Sequence, residues 1–110
     1  MTVKELSDAC GFTPVVMGDG ADSEVMGVYA CDLLSWVIGR AVENSALVTV
    51  MTNVNVIAVA AMADLSCVIL TEGVKLDANA LEKAEQNGIP VLVSDKTTYE
   101  TCAMLSKVLG

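Results

Sequence analysis

Three short aliphatic runs in the middle of the chain, separated by helical segments, constrain its fold more than any other feature. The runs lie at residues 46–51, 66–70 and 89–93 and are rich in Val, Ile and Leu. Such runs are typical of strands buried on both faces of a parallel sheet. Helices are predicted between them at 54–63 and 78–87. The alternation predicts an α/β fold, a small three-layer sandwich whose mainly parallel sheet is built from successive βα units.

Local signals place the remaining elements around this centre. Pro14 lacks a backbone donor, so the strand that contains it is expected at an edge of the sheet. Asp32 and Asp77 each stand where a helix begins and are predicted to cap it. Thr97 and Glu100 have the spacing of a capping box. The further elements are a helix at 3–10, strands at 13–17 and 25–31, a helix that carries Leu33, Leu34, Val37, Ile38 and Ala41, and a last helix after Thr97.

Length and charge limit the classes of partner. A chain of 110 residues is expected to form one domain, residues 1–110. Its net charge of −8, with no Lys/Arg cluster, argues against binding to nucleic acid or to an anionic membrane. No apolar run is long enough to span a bilayer, and the first residues do not resemble a signal peptide. The expected location is the cytoplasm.

The cysteines and the missing histidine argue against metal chemistry. None of the four cysteines belongs to a Cys-x-x-Cys pair, and the chain has no histidine. A metal site would therefore need other ligands, and no metal site and no cofactor are predicted. The cysteines are interpreted as reduced, buried side chains that act as small hydrophobes.

Polar residues follow each predicted strand and suggest a ligand site. The carboxyl ends of parallel strands share one rim, where ligands of open α/β sheets bind, and helix N-termini at a rim suit anions. Asn53 and Gly73 tolerate the unusual backbone angles that tight rim turns need. The alternative is that all these residues cap helices and form turns. The candidate ligand-binding residues are Asp32, Ser35, Thr52, Asn53, Asn55, Thr71, Glu72, Gly73 and Ser94.

The predicted helix at 54–63 is apolar on nearly every side, so it must be covered on several sides. One interpretation is that one face packs on the sheet and another meets a second subunit, which predicts a homodimer. The other is that the helix is buried wholly within one chain. Trp36 lies off the main apolar face of its helix, either as a partner contact or as a cover for the edge of the core. The candidate interface residues are Trp36, Val56, Val59, Ala60 and Met62.

Motifs of catalysis are missing. Without histidine, a nucleophile cannot use a His base, and neither a G-x-x-x-x-G-K-[ST] phosphate loop nor a G-x-G-x-x-G after a strand occurs. The sequence therefore predicts a protein that is not an enzyme. An enzyme of unrecognised type, using Asp32, is the less favoured alternative.

Segments spread over nearly the whole chain resemble the DRTGG domain. DRTGG domains occur within phosphotransacetylases and CBS-type pyrophosphatases, and also as separate chains. They are related to the N-terminal domain of HPr kinase/phosphorylase. The family's Gly-Asp-Arg falls within residues 52–55, where no Arg stands, and its Thr-Gly-Gly falls on Thr71, Glu72 and Gly73. The segments that carry the resemblance are residues 27–35, 48–55, 67–73 and 88–94, followed by Thr97, Thr98 and Tyr99.

The resemblance implies a regulatory or subunit-assembling role. It predicts a non-catalytic module, a homodimer that binds a small, nucleotide-like ligand at the rim and docks on a partner enzyme. The alternative is a purely structural docking domain that binds no ligand. The missing Arg and the added Glu72 weaken the inference of a phosphate site at the rim.

Overall fold

The computed structural model describes all residues, Met1–Gly110, and contains five strands and five α-helices. A short 3-10 helix, Gly18–Asp22, follows the first strand. The strands are β1 (Thr13–Val16), β2 (Gly27–Ala30), β3 (Ser45–Thr49), β4 (Cys67–Leu70) and β5 (Val91–Val93). The helices are α1 (Val3–Cys10), α2 (Leu34–Arg40), α3 (Val54–Met62), α4 (Ala78–Asn87) and α5 (Thr98–Leu109). No helix is both long enough and apolar enough to cross a membrane.

All five strands form one sheet in the order β1-β5-β4-β3-β2. Strands β2 to β5 are parallel to one another, and β1 pairs antiparallel with β5 at one edge. The edge position predicted from Pro14 is therefore confirmed. The opposite edge of the sheet is β2, which is hydrogen-bonded to β3 alone.

The two faces of the sheet are covered by different helices, which confirms the three-layer α/β fold. Helices α2, α3 and α4 connect the parallel strands and share one apolar cluster with Leu47, Val68 and Val91 of the sheet. Helices α1 and α5 share a second cluster with Val48 and Ile69, which point to the other face. Side chains alternate between faces along a strand, and so consecutive strand residues divide between the two clusters.

Helix ends show capping chemistry at four places, one of them the capping box predicted from Thr97 and Glu100. Thr2 and Thr97 complete capping boxes at the starts of α1 and α5. Gly11 and Gly88 adopt left-handed conformations just after α1 and α4. A left-handed residue costs little for glycine, which has no Cβ, and it lets the backbone leave the helix.

Helix α3 is covered largely within its own chain. Val56, Val59 and Ala60 are buried with Ile57 between the sheet and the neighbouring helices, whereas Met62 at the end of α3 is exposed. Burial within one chain, one of the two interpretations of this segment, thus accounts for most of its apolar side chains. Of the five candidate interface residues, Trp36 and Met62 present exposed side chains.

The four cysteines are free thiols. Cys10 and Cys67 are buried, and Cys31 and Cys102 are half-buried. Burial raises the pKa of the Cys67 thiol to about 12, because a thiolate would lose its hydration inside the core. Cys31 was expected within a strand and lies one residue beyond β2.

Candidate functional site

The connections that leave β4 and β5 diverge at the carboxyl-end rim. The chain passes from β4 to α4 on one face of the sheet and from β5 to α5 on the other face. In open α/β sheets such a divergence is where a ligand crevice forms. Four of the predicted rim residues, Thr71, Glu72, Gly73 and Ser94, meet at this point.

Glu72 bridges the two diverging loops. Its backbone N–H donates to the carbonyl oxygen of Lys96 at 2.8 Å, and its carboxylate Oε2 accepts from the backbone N–H of Thr98 at 2.7 Å. Thr98 is the first residue of α5, where unpaired N–H groups and the helix dipole favour negative charge. The position that would suit an anionic ligand is therefore filled by a carboxylate of the chain itself.

Two hydroxyl pairs lie beneath this contact. Thr71 Oγ1 is 2.7 Å from Thr98 Oγ1, and Ser94 Oγ is 2.9 Å from Thr101 Oγ1. Thr71, Ser94 and Thr101 are buried, and no buried polar side-chain atom of the chain lacks a hydrogen-bond partner. These hydroxyls join the ends of β4 and β5 to α5, and their hydrogen-bonding capacity is directed inward.

Asp32 does not cap α2, contrary to the prediction. The residue before α2 is Leu33, which offers no side-chain acceptor. Asp32 Oδ1 instead accepts from Thr49 Oγ1 at 2.7 Å and from the backbone N–H of Val50 at 2.9 Å. The carboxylate turns towards the end of the neighbouring strand, where it ties β2 to β3.

Asp77 also stands at its predicted cap position without capping by its side chain. Its carboxylate accepts from Thr52 Oγ1 at 3.1 Å, and its N–H donates to the Thr52 carbonyl at 3.0 Å. These two bonds fasten the start of α4 to the loop after β3.

Asn53 caps α3 with its side chain, accepting from the N–H of Asn55 at 3.0 Å. Its φ of −87° is ordinary, so Asn53 does not use its tolerance of unusual backbone angles. At the other rim loop, Gly73 has φ +67° as expected, and Glu72 unexpectedly has φ +62°. Positive φ is uncommon outside glycine.

The remaining predicted site residues stand apart. Ser35 and Asn55 are exposed on the first turns of α2 and α3. None of the five cavities of the molecule is lined by any of the nine predicted rim residues. The rim is therefore a set of caps and ties between loops, and its geometry offers no ready-made hollow.

Sequence reasoning missed Thr49, Lys96, Thr98 and Thr101 at the rim. The capping box at Thr97 was a usable signal for Thr98 and Thr101, because it starts α5 at the rim. The first turn of that helix then lies beside β4 and β5. Thr49 carried no signal, since a threonine at the end of a buried strand is common.

A second feature lies at the opposite edge of the sheet, where apolar side chains are exposed around β2. We call this the β2 edge surface and define it as Met26, Val28, Leu33, Trp36 and Ile38 with the adjoining groove between β2 and α5. All five side chains are exposed. The ring of Trp36 is covered on one side by the guanidinium of Arg40, 3.8 Å from the ring centre. The groove encloses about 500 Å³ and is lined by Ala30, Cys102, Leu105 and Leu109, among others.

Fold and site together define a small α/β module whose rim holds structural ties and whose edge carries exposed apolar side chains. The family model for the DRTGG domain matches residues 13–108. The chain belongs to the DRTGG domain family.

Among solved structures, the chain is similar to the CBS and DRTGG domains of the regulatory region of Clostridium perfringens pyrophosphatase, crystallised with the activator diadenosine tetraphosphate. The TM-score is 0.74 at 12 % sequence identity, a likeness that concerns the fold. The match covers 94 % of this chain and 45 % of that one, so the chain spans less than half of the pyrophosphatase region. No curated protein matches the chain.

Proposed function

We propose that this chain is a non-catalytic regulatory module that acts by self-association, as a homodimer that docks on a partner enzyme. The observation that carries the proposal is the β2 edge surface. Five large apolar side chains are exposed around one strand of a chain whose net charge is −8. Contiguous exposed apolar patches on small proteins mark interaction surfaces.

The rim supports a role without chemistry. Its carboxylates and hydroxyls bond to one another and to backbone N–H groups, as described for Glu72, Asp32 and Ser94. A catalytic group needs to reach a substrate atom at hydrogen-bond distance, and these groups are engaged in holding loops. We infer that the chain is a single domain with no active site of its own. Its four free thiols support a reducing compartment, the cytoplasm, as its place of action.

Sedimentation equilibrium over a wide range of protein concentration tests the proposal. We expect a reversible monomer–dimer equilibrium that shifts towards the dimer as salt is added, because salt screens the repulsion between two chains of net charge −8. A chain that sediments as a monomer at every concentration would contradict the homodimer.

A second candidate function is binding of a nucleotide-like ligand at the rim between β4 and β5. The activator in the similar pyrophosphatase structure favours it, since that ligand carries adenine groups and phosphates. The carboxylate of Glu72 opposes it, because a phosphate at the start of α5 would have to displace a like charge.

Thermal unfolding with and without diadenosine tetraphosphate or ATP separates these cases. A ligand present at about 100 times its dissociation constant adds about 2.7 kcal/mol to the stability of the folded state. If the rim is the site, Glu72→Gly should enlarge the shift, while Asp95→Asn, a change at an exposed carboxylate nearby, should leave it unchanged. If the ligands change the melting temperature of neither the wild type nor Glu72→Gly, the chain is a purely structural docking module.

A further inference from the structure

We infer that the second copy docks edge to edge on β2, so that two sheets join into one through antiparallel pairing of the two β2 strands. The inference rests on the proposed self-association and names the surface and its geometry. A two-fold axis between two identical strands makes them antiparallel and places the same patch on both sides of the interface.

The backbone of β2 is available for such pairing. Gly27–Ala30 forms a regular parallel ladder with residues 45–48 of β3, with no register shift. No loop, turn or cap hydrogen bond of the chain involves these four residues. Their outward N–H and C=O groups thus lack a partner within the chain, and an unpaired strand edge is a template for another strand.

The two edges of the sheet differ in a way that points to β2. At the other edge, β1 contains Pro14, which has no N–H to donate, and its register with β5 shifts between Pro14 and Val16. Proline and an irregular register are devices that block edge pairing. Strand β2 has neither of these devices, and none of its four residues is charged.

Apolar surface flanks β2 on both faces of the sheet. Val28, Met26 and Ala30 border the groove towards α5, and Tyr29 points to the face that α2 covers. Residues on one face of antiparallel strands become direct or diagonal neighbours, so pairing would bring Val28 and Met26 against their counterparts. Trp36 and Leu33 on the α2 side extend the same surface beyond the strands.

The charge distribution favours a second copy over an acidic or basic partner. No side chain that lines the groove is acidic or basic, although the chain as a whole carries −8. Two copies can therefore meet here without burying like charges, which would oppose association. A partner recognised through charged side chains would find none among those that line the groove.

The area required is within reach of this surface. A stable interface buries about 800 Å² on each partner, which is about one seventh of the 5632 Å² that this chain exposes. Helix α5 packs against β2 and α2 follows β2 in the chain, so an interface centred on β2 is flanked by the groove and by the exposed side chains of α2.

Lysine substitutions at two matched valines test the inference in the full chain. Val28 on β2 is 37 % exposed and Val15 on β1 is 42 % exposed, so both are edge-strand valines with similar surroundings. We expect Val28→Lys to weaken dimerisation by about 100-fold, tenfold for each lysine brought into the interface. We expect Val15→Lys to leave the dimer unchanged.

The outcomes distinguish the inference from the proposed function. If the wild type is monomeric, self-association itself fails. If the wild type and both variants dimerise equally, self-association stands and β2 pairing is refuted. Loss of the dimer in Val15→Lys alone would also refute β2 pairing and would place the interface at β1.

Hydrogen exchange provides a measurement that does not depend on a variant that folds. The outward amides of Gly27–Ala30 should exchange quickly in dilute protein and become protected as the concentration rises through the dimer range. Amides of Thr13–Val16 at the other edge should show no change with concentration. Exchange at β2 that is independent of concentration while the protein dimerises would overturn the inference.

Discussion

The carboxylate of Glu72 lies 2.7 Å from the backbone nitrogen of Thr98, so the first turn of α5 already holds a negative charge supplied by the chain. The contact requires Glu72 to adopt φ +62°, directly before Gly73 at φ +67°. Two left-handed residues in succession turn the loop after β4 back over the rim.

Two substitutions at Glu72 should show how much the hydrogen bond to Thr98 and how much the left-handed backbone of Glu72 each contribute to stability. Both Glu72→Ala and Glu72→Gly remove the bond to Thr98, but glycine relieves the left-handed conformation that alanine must keep. We expect Glu72→Ala to unfold more easily than Glu72→Gly by about 1 kcal/mol. Urea denaturation measures the difference, and equal stabilities would show that the strain is negligible.

Removal of the Asp32 carboxylate should loosen β2 from β3. Asp32→Ala leaves Thr49 Oγ1 and the N–H of Val50 without their charged acceptor, and such bonds contribute about 1.5–3 kcal/mol. We expect a loss of stability of that size, measured by urea denaturation. Asp95→Ala is the control, since Asp95 is exposed like Asp32, whereas only the Asp32 carboxylate accepts from Thr49 and Val50. A loss as large in the control would mean that net charge, and not the tie, determines the effect.

A charge on α3 should distinguish its buried side from its exposed side. Ala60 is 1 % exposed and Met62 is 68 % exposed, on the same helix. We expect Ala60→Glu to unfold the chain, because an unpaired carboxylate in the core costs several kcal/mol. Met62→Glu should keep both the fold, seen by circular dichroism, and the dimer, seen by sedimentation. If Met62→Glu is a folded monomer, the dimer interface lies on α3 and not on β2.

Cys67 should resist alkylation in the folded protein. Burial raises the pKa of its thiol to about 12 from an ordinary 9.0, so at pH 8 the thiolate is scarce and shielded. Iodoacetamide should label Cys31 first, and label Cys67 at the rate of unfolding, as mass spectrometry of the peptides can show. Because the pKa of the Cys67 thiol is higher in the folded chain than in the unfolded chain, this thiol does not change the stability of the fold below pH 9. As the pH rises above 9, it lowers the free energy of unfolding. Rapid labelling of Cys67 in native protein would contradict its burial.

The capping box of α5 should make stability sensitive to acid. The N–H of Thr97 donates to the carboxylate of Glu100 and lowers its pKa below the ordinary 4.5. The lowered pKa stabilises the fold above pH 4.5, and this contribution is lost as pH falls through the folded value. Glu100→Gln should therefore show a smaller decrease in melting temperature on acidification than the wild type. Glu85→Gln, on the exposed side of α4, should keep the wild-type slope.

The order of elements could be predicted from the sequence because each one carries a local signal. Aliphatic runs mark β3, β4 and β5, and the capping box at Thr97 marks the start of a helix that the structure confirms. Pro14 located an edge strand, since a missing donor is visible in the sequence itself.

The partners of the rim side chains could not be predicted in the same way. Asp32 and Asp77 both stand at helix starts, where local capping is the usual role of aspartate, yet each bonds to a threonine on a neighbouring loop. Whether a carboxylate caps its own helix or bonds to a neighbouring loop depends on strand register and loop length. These are properties of the whole sheet. The exposed side of α2 is likewise a tertiary outcome, because the sequence does not show that Val37 alone would be fully buried while Trp36 and Ile38 stay exposed.

The unequal edges of the sheet also limit how far assembly can proceed. A strand added to β2 ends growth, because each copy then presents only β1, with Pro14 and its shifted register, at the outside. A sheet with two open edges would instead accept copies without limit and form fibres. Pro14 and the shifted register of β1 thus stop the assembly at a dimer and prevent growth into a polymer.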